Sequence, residues 1–220
     1  MVPQHLEVAT FALGCFWSPE AMFGSIEGVV RTRVGYSGGV ITDPTYHNLG
    51  NHSETLQIEY DPEKITFKQL LAIFWKHHDP AKEPWSQQYK PIIFFHNELQ
   101  QELAGASKQA KERQLNTTVY TEILPFKKFY LAEDYHQKYR LRHEPDLMRG
   151  FTLIYPDMKD FVNSTAASRI NGYLSGYGTL AELEAEISQF GLSDEHKKRL
   201  LSIVKDLETQ GQTRKKYCPF

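Results

Sequence analysis

One glycine–cysteine step constrains this chain more than any other feature. Glu7 to Leu13 reads as a strand that Gly14 ends. Ser18-Pro19-Glu20 then reads as N-cap, N1 and N2 of a helix, because proline is tolerated in the first turn and not deeper. The helix should carry Ala21, Met22, Phe23 and Ile26. Cys15 therefore falls at a strand-to-helix junction. The unbonded N–H groups and positive dipole end of a helix stabilise a thiolate there, and the preceding glycine lets the backbone turn sharply. A cysteine elsewhere reads as a small buried hydrophobe; this one is a candidate nucleophile. Phe16 and Trp17 are either core aromatics or walls for an apolar group such as a thioether methyl.

The rest of the pattern describes a layered α/β or α+β domain. Strands are expected at Val29 to Tyr36, Glu54 to Tyr60, Pro91 to Phe95 and Thr117 to Leu124. Thr66 with Gln69 forms a capping-box pattern before an apolar face of Leu70, Leu71, Phe74 and Trp75. Asn97 with Gln100 opens a helix running to about Gln114. Farther on, Thr179 with Glu182 caps a helix ended by Gly191. Ser193-Asp194 starts another, with Leu200, Val204 and Leu207 in helical register. The expected division is a catalytic domain over 1–149 and a helical extension with a mobile tail over 150–220.

Composition excludes several classes. The 220 residues carry a net charge of −2 with neutral histidines, which leaves no electrostatic footprint for nucleic acid or an anionic membrane. No apolar run approaches the roughly 18 residues of a membrane helix. The N-terminus lacks a basic region followed by an apolar stretch, so a cytoplasmic protein is expected. Two cysteines, Cys15 and Cys218, are too few for a disulfide scaffold and too far apart for a zinc motif. In a reducing compartment a disulfide between thiols is transient, hence catalytic or regulatory. His47 with His52, and His77 with His78, lack further ligands in sequence, so no metal or cofactor is expected.

Gly14-Cys-Phe-Trp17 resembles the type A peptide methionine sulfoxide reductases. The resemblance continues in family order through Val34-Gly-Tyr-Ser-Gly-Gly39, Asp43-Pro-Thr-Tyr46, His52-Ser-Glu54, Tyr60-Asp-Pro62, Phe74-Trp75, His78-Asp-Pro80, Gln88-Tyr89 and Phe129 to Tyr139. It spans about residues 5–143. The stretch Asn171-Gly-Tyr-Leu-Ser-Gly176 is similar to long-tailed animal members. The resemblance implies an α+β fold, a two-layer ferredoxin-like mixed sheet flanked by helices, with a C-terminal helical extension. It implies reduction of the S epimer of methionine sulfoxide, free or in proteins, with Cys15 as nucleophile and Glu54 as acid. Tyr46 and Tyr89 correspond to the tyrosines that bind the sulfoxide oxygen, and Phe16 and Trp17 to the methyl pocket. Glu133, His136 and Tyr139 lie in the matching segment and read as structural support.

The chemistry requires few parts. A thiolate attacks sulfoxide sulfur once its oxygen is protonated or hydrogen-bonded, leaving a cysteine sulfenic acid and methionine. Burial raises a glutamate pKa, so a buried Glu54 can hold the proton. Cys218 is an incidental tail cysteine or the resolving thiol that forms a disulfide with Cys15. Ten residues from Glu208 extend about 33 Å, and Lys215 and Lys216 favour its thiolate. Long-tailed relatives also end in a cysteine, which implies recycling by thioredoxin; the chain is expected to act as a monomer. The sequence departs from the family twice. Pro84 stands where many members have an aspartate, with Glu83 as the candidate replacement, and the Tyr46–Glu54 loop is short. The competing reading is a cysteine hydrolase or transferase in which His52 or His136 activates Cys15.

Overall fold

The computed structural model describes residues 5–211. Six strands form one mixed sheet: β1 (Glu7–Ala12), β2 (Val29–Ser37), β3 (Ser53–Tyr60), β4 (Ile92–Phe95), β5 (Glu122–Pro125) and β6 (Tyr130–Leu131). Their order is β5-β4-β1-β3-β2-β6. All pairs are antiparallel except β4 with β5. The central β4-β1-β3-β2 arrangement, with α1 (Trp17–Gly24) and α2 (Phe67–Lys76) as crossovers, is the expected ferredoxin-like unit; β5 and β6 extend its edges.

Strand alternation builds the core. Ala9 and Phe11 on β1, Val34 and Tyr36 on β2, and Leu56, Ile58 and Tyr60 on β3 share one cluster with Leu70, Leu71, Phe74 and Trp75 of α2. Ala12, of opposite parity to Phe11, joins Ile92 and Phe94 in a smaller one. A ten-residue helix is marginal alone. Each buried leucine or phenylalanine contributes about 1.5–3 kcal/mol, so packing holds α2. Its capping box is present in both directions, Thr66 and Gln69 each receiving the other's backbone N–H. Asn97 likewise caps α3 (Glu98–Leu115).

Three details differ from the sequence expectation. The helix after Cys15 starts at Trp17 with Phe16 as N-cap, not at Pro19 with Ser18, and it ends at Gly24, before Ile26. The fifth strand begins only at Glu122, because Tyr120 N–H bonds Pro80 and the Thr121 carbonyl accepts from Lys108, outside any ladder. The two-residue β6 was not anticipated.

The C-terminal helices are α4 (Tyr139–Arg142), α5 (Pro145–Ile154), α6 (Met158–Val162), α7 (Thr165–Tyr173), α8 (Leu180–Glu186) and α9 (Asp194–Thr209). Residues 149 and 150 lie inside α5, where a domain boundary was expected. Leu147, Phe151, Ile170, Leu183, Leu200 and Val204 bury a second core there. The two cores meet where α7 crosses α1. A Cβ on Gly172 would come within 2.8 Å of the Ala21 carbonyl oxygen, so only glycine permits this approach. Ser168 of α7 also bonds the Thr32 backbone N–H and hydroxyl on β2.

Candidate active site

The site sits at the N-terminal end of α1. Gly14 has φ +90°, a conformation that supplies the turn out of β1 and that a side chain would strain. Cys15 follows, half-buried. The first helical N–H groups need partners, yet α1 has no side-chain cap of its own. Glu54 on β3 provides one across 38 residues of sequence: its Oε2 accepts from the Phe16 N–H at 3.0 Å. Its Oε1 accepts from Gln88 Nε2 at 2.8 Å. The side chain is buried and meets no cation in these contacts. Burial pushes its pKa up to about 7, against the lowering pull of the Gln88 and Phe16 hydrogen bonds.

Tyr89, the last residue of a short 3-10 turn over Gln87–Tyr89, faces the same point. Burial, then the charges of Glu54 and Tyr46, a hydrogen bond to Tyr46, and Cys15 hold its hydroxyl well above the ordinary tyrosine range. Tyr89 therefore stays protonated and donates. Cys15, Glu54, Tyr46 and Tyr89 thus converge, although they come from four separate segments. Tyr46 is fixed by its backbone: its N–H donates to Glu133 Oε1 at 3.0 Å. Glu133 Oε2 accepts from the Tyr36 hydroxyl at 2.7 Å. Burial works to raise the Glu133 pKa, but these hydrogen bonds prevail and hold it below the usual range.

The aromatic wall is also braced. Phe16 is buried against Tyr36 and His136, at ring separations of 6.0 and 5.1 Å. Trp17 stacks on Tyr139 at 3.8 Å and 13°, and its indole N–H donates to His136 Nδ1 at 3.2 Å. Accepting there places the His136 proton on Nε2, and burial lowers the His136 pKa to about 4. So weak a base, already engaged, does not suit activation of a thiol. His52 is spent similarly, accepting from Gly39 N–H while its Nε2 meets the Ile41 carbonyl. The histidine-activated hydrolase is therefore not favoured. His77 and His78 each bond the carbonyl one turn back through Nδ1.

One expectation on this site needs adjusting. Glu83 is exposed, and the residue that reaches the acid is instead Gln88. Gln88 was legible only as the neighbour of Tyr89. Glu133 and His136, expected as structural support, hold Tyr46 and Trp17 directly. Cys218 lies outside the described residues.

The family model for peptide methionine sulfoxide reductase matches residues 7–169. This chain belongs to that family. The reductase is 41% identical over 205 residues to the peptide methionine sulfoxide reductase of Drosophila melanogaster, covering 92% of this chain and 82% of that one. It is 44% identical over 147 residues to the MsrA of Methanosarcina acetivorans, covering 62% and 78%. Among solved structures, reduced Mxr1 from Saccharomyces cerevisiae superposes with a TM-score of 0.59 at 29% identity, covering 65% of this chain and 88% of that one. Methionine sulfoxide reductase A of Corynebacterium diphtheriae gives 0.57 at 29% identity, covering 66% and 77%. Among the described residues of the reductase, no helix is long and apolar enough to cross a membrane.

Proposed function

We propose that the reductase converts the S epimer of methionine sulfoxide, free or in proteins, to methionine through a sulfenic acid on Cys15. The observation that carries this reading is Glu54. It is a buried carboxyl with a pKa of about 7, bonded to the backbone next to the cysteine. Such a group holds a proton near neutrality and can release it to a sulfoxide oxygen. Tyr46 and Tyr89 add hydroxyl donors to that oxygen, and Phe16 and Trp17 seat the methyl. Fixing oxygen and methyl leaves one face of the sulfur towards Cys15, which selects one epimer.

The Cys15 thiolate, favoured by the positive end of α1, attacks the sulfur. The oxygen passes to Cys15 as sulfenic acid, methionine departs, and Glu54 regains a proton from solvent. Cys218 then displaces the hydroxyl, giving water and a Cys15–Cys218 disulfide that thioredoxin, as a dithiol donor, reduces. A thiol cycle suits a reducing compartment such as the cytoplasm. The test is an assay of both epimers with dithiothreitol as reductant. The S epimer should be consumed, the R epimer spared, and Cys15→Ser inactive on both; turnover by Cys15→Ser would remove the nucleophile assignment.

A further inference from the structure

The helical extension reaches back to the cysteine at the tip of α1. Helix α7, which crosses α1 at Gly172, is closed by Gly176 at a φ of +76°. Two backbone bonds form its cap. The Gly176 N–H donates to the Tyr173 carbonyl and the Tyr177 N–H to the Gly172 carbonyl, each at 3.0 Å. This cap delivers Tyr177 to the first turn of α1, where its hydroxyl and that of Ser18 are hydrogen-bonded at 3.1 Å. The Tyr177 ring packs on the core of the sheet, although it lies beyond residues 7–169, the part of the chain matched to the family.

Tyr177 lines a cleft of about 380 Å³ that includes Cys15. Leu13, Met22 and Trp85 supply more of its apolar wall, and Tyr89 joins it to the sulfoxide site. Trp85 leans on Tyr89, with ring centroids 4.9 Å apart, yet is 74% exposed. Large aromatic rings left open to solvent beside a thiol have the form of a binding surface. Among the described residues that line the cleft, Lys82 is the one lysine or arginine, and no carboxylate occurs.

We propose that this cleft takes the residue next to the sulfoxide in a protein substrate, and that Trp85 and Tyr177 select an apolar side chain there. The inference deepens the reductase reading and rests on it. Continuity identifies the occupant. Cys15 must touch the sulfoxide sulfur, and Cys15 also lines the cleft. Adjacent residues of an extended chain are ~3.3–3.6 Å apart. A polypeptide that presents a sulfoxide to Cys15 therefore brings its next residue or two into the cleft, where a free amino acid has nothing to place. The lining sets the preference. A substrate lysine finds no carboxylate and meets Lys82, whereas a phenylalanine covers Trp85 and Tyr177.

The test uses the full chain, dithiothreitol as reductant, and the S epimer of the sulfoxide in short peptides with Phe, Gly or Lys on both sides of it. Wild type should reduce the Phe peptide with kcat/KM roughly tenfold above the Gly peptide, the gain from partly burying one aromatic side chain. The difference should lie in KM, and the Lys peptide should do no better than the Gly peptide. In Trp85→Ala and in Tyr177→Ala the ratio of Phe to Gly peptide should fall to about one, since each removes an aromatic anchor. Tyr177→Phe keeps the ring, loses only the Ser18 hydrogen bond, and should keep the ratio. Equal kcat/KM for the Phe and Gly peptides in wild type would overturn the proposal and leave the reductase reading standing. So would a ratio that survives both alanine substitutions; a raised KM for thioredoxin in those variants would then give the cleft to the electron donor. Failure of wild type to reduce any of the peptides or the free amino acid would remove the reductase reading, and this proposal with it.

Discussion

Two carboxylates are buried around α1, one beneath it and one at its tip, and they are solvated differently. Glu20, fully buried beneath α1, meets the Lys138 ammonium at 2.6 Å and the Lys138 backbone N–H at 2.7 Å. The Lys138 ammonium is also bonded to the Thr32 carbonyl. Glu54, at the tip and almost as deeply buried, receives two N–H donors and no cation. Burial pulls the Lys138 ammonium below its ordinary range and the Glu20 carboxyl opposes that pull; at Glu54 the neutral donors only partly offset burial. The first arrangement ties α1 to the segment before α4. The second leaves a proton able to come and go beside Cys15. The same residue type in similar burial thus braces the fold in one place and, in the proposed mechanism, serves chemistry in the other; the partner makes the difference.

The contrast can be broken most severely at Lys138. Lys138→Ala strands a buried carboxylate and should cost about 3–5 kcal/mol of unfolding free energy. A Glu20→Gln/Lys138→Met double variant should recover most of that, and urea melts of the three proteins will show it. Removing the charge at Glu54 should act in the opposite sense. Its folded pKa of about 7 lies above the ordinary 4.5, so folding favours its neutral form. Stability contributed by that proton is complete below pH ~4.5 and is lost as pH rises through about 7. Glu54→Gln should therefore be more stable than wild type at pH 8 by up to ~3 kcal/mol, with the gain vanishing in acid. A Glu54→Gln protein destabilised at pH 8 would place Glu54 in the same structural class as Glu20. The smallest effect is expected at the hydroxyls. Tyr46→Phe and Tyr89→Phe should each lower single-turnover methionine formation roughly tenfold, with the double variant lower still, since each removes one donor.

Sequence made the locally encoded parts of this molecule legible. The reciprocal caps Thr66–Gln69 and Thr179–Glu182 stand as expected because both partners lie within four residues. Gly14 and Cys15 announce the junction because a positive φ and a helix end are themselves local. The start of α1 was misplaced for the converse reason. Ser18-Pro19 has the composition of a helix start, but the cap comes from Glu54, far off in sequence. The same distance hid Gln88 against Glu54 and His136 against Trp17, the latter 119 residues apart. The proposed catalytic set rests on its family motifs; the contacts that surround it in the structure are tertiary. The weld between α7 and α1 was hidden too, since Gly172 acquires meaning only once Ala21 is opposite it.

The measurement that bears most directly on the account is the pH dependence of single-turnover methionine formation, in wild type and in Glu54→Gln. Rapid quenching from roughly pH 5 to pH 9 spans the range in which an acid of this kind titrates. The wild-type rate should fall as pH rises through about 7, where Glu54 loses its proton. Glu54→Gln should be slower by roughly 10²–10⁴-fold, the usual contribution of a positioned acid, and should lack that falling limb. A wild-type rate on the same limb in Glu54→Gln would contradict the assignment of Glu54 as the acid.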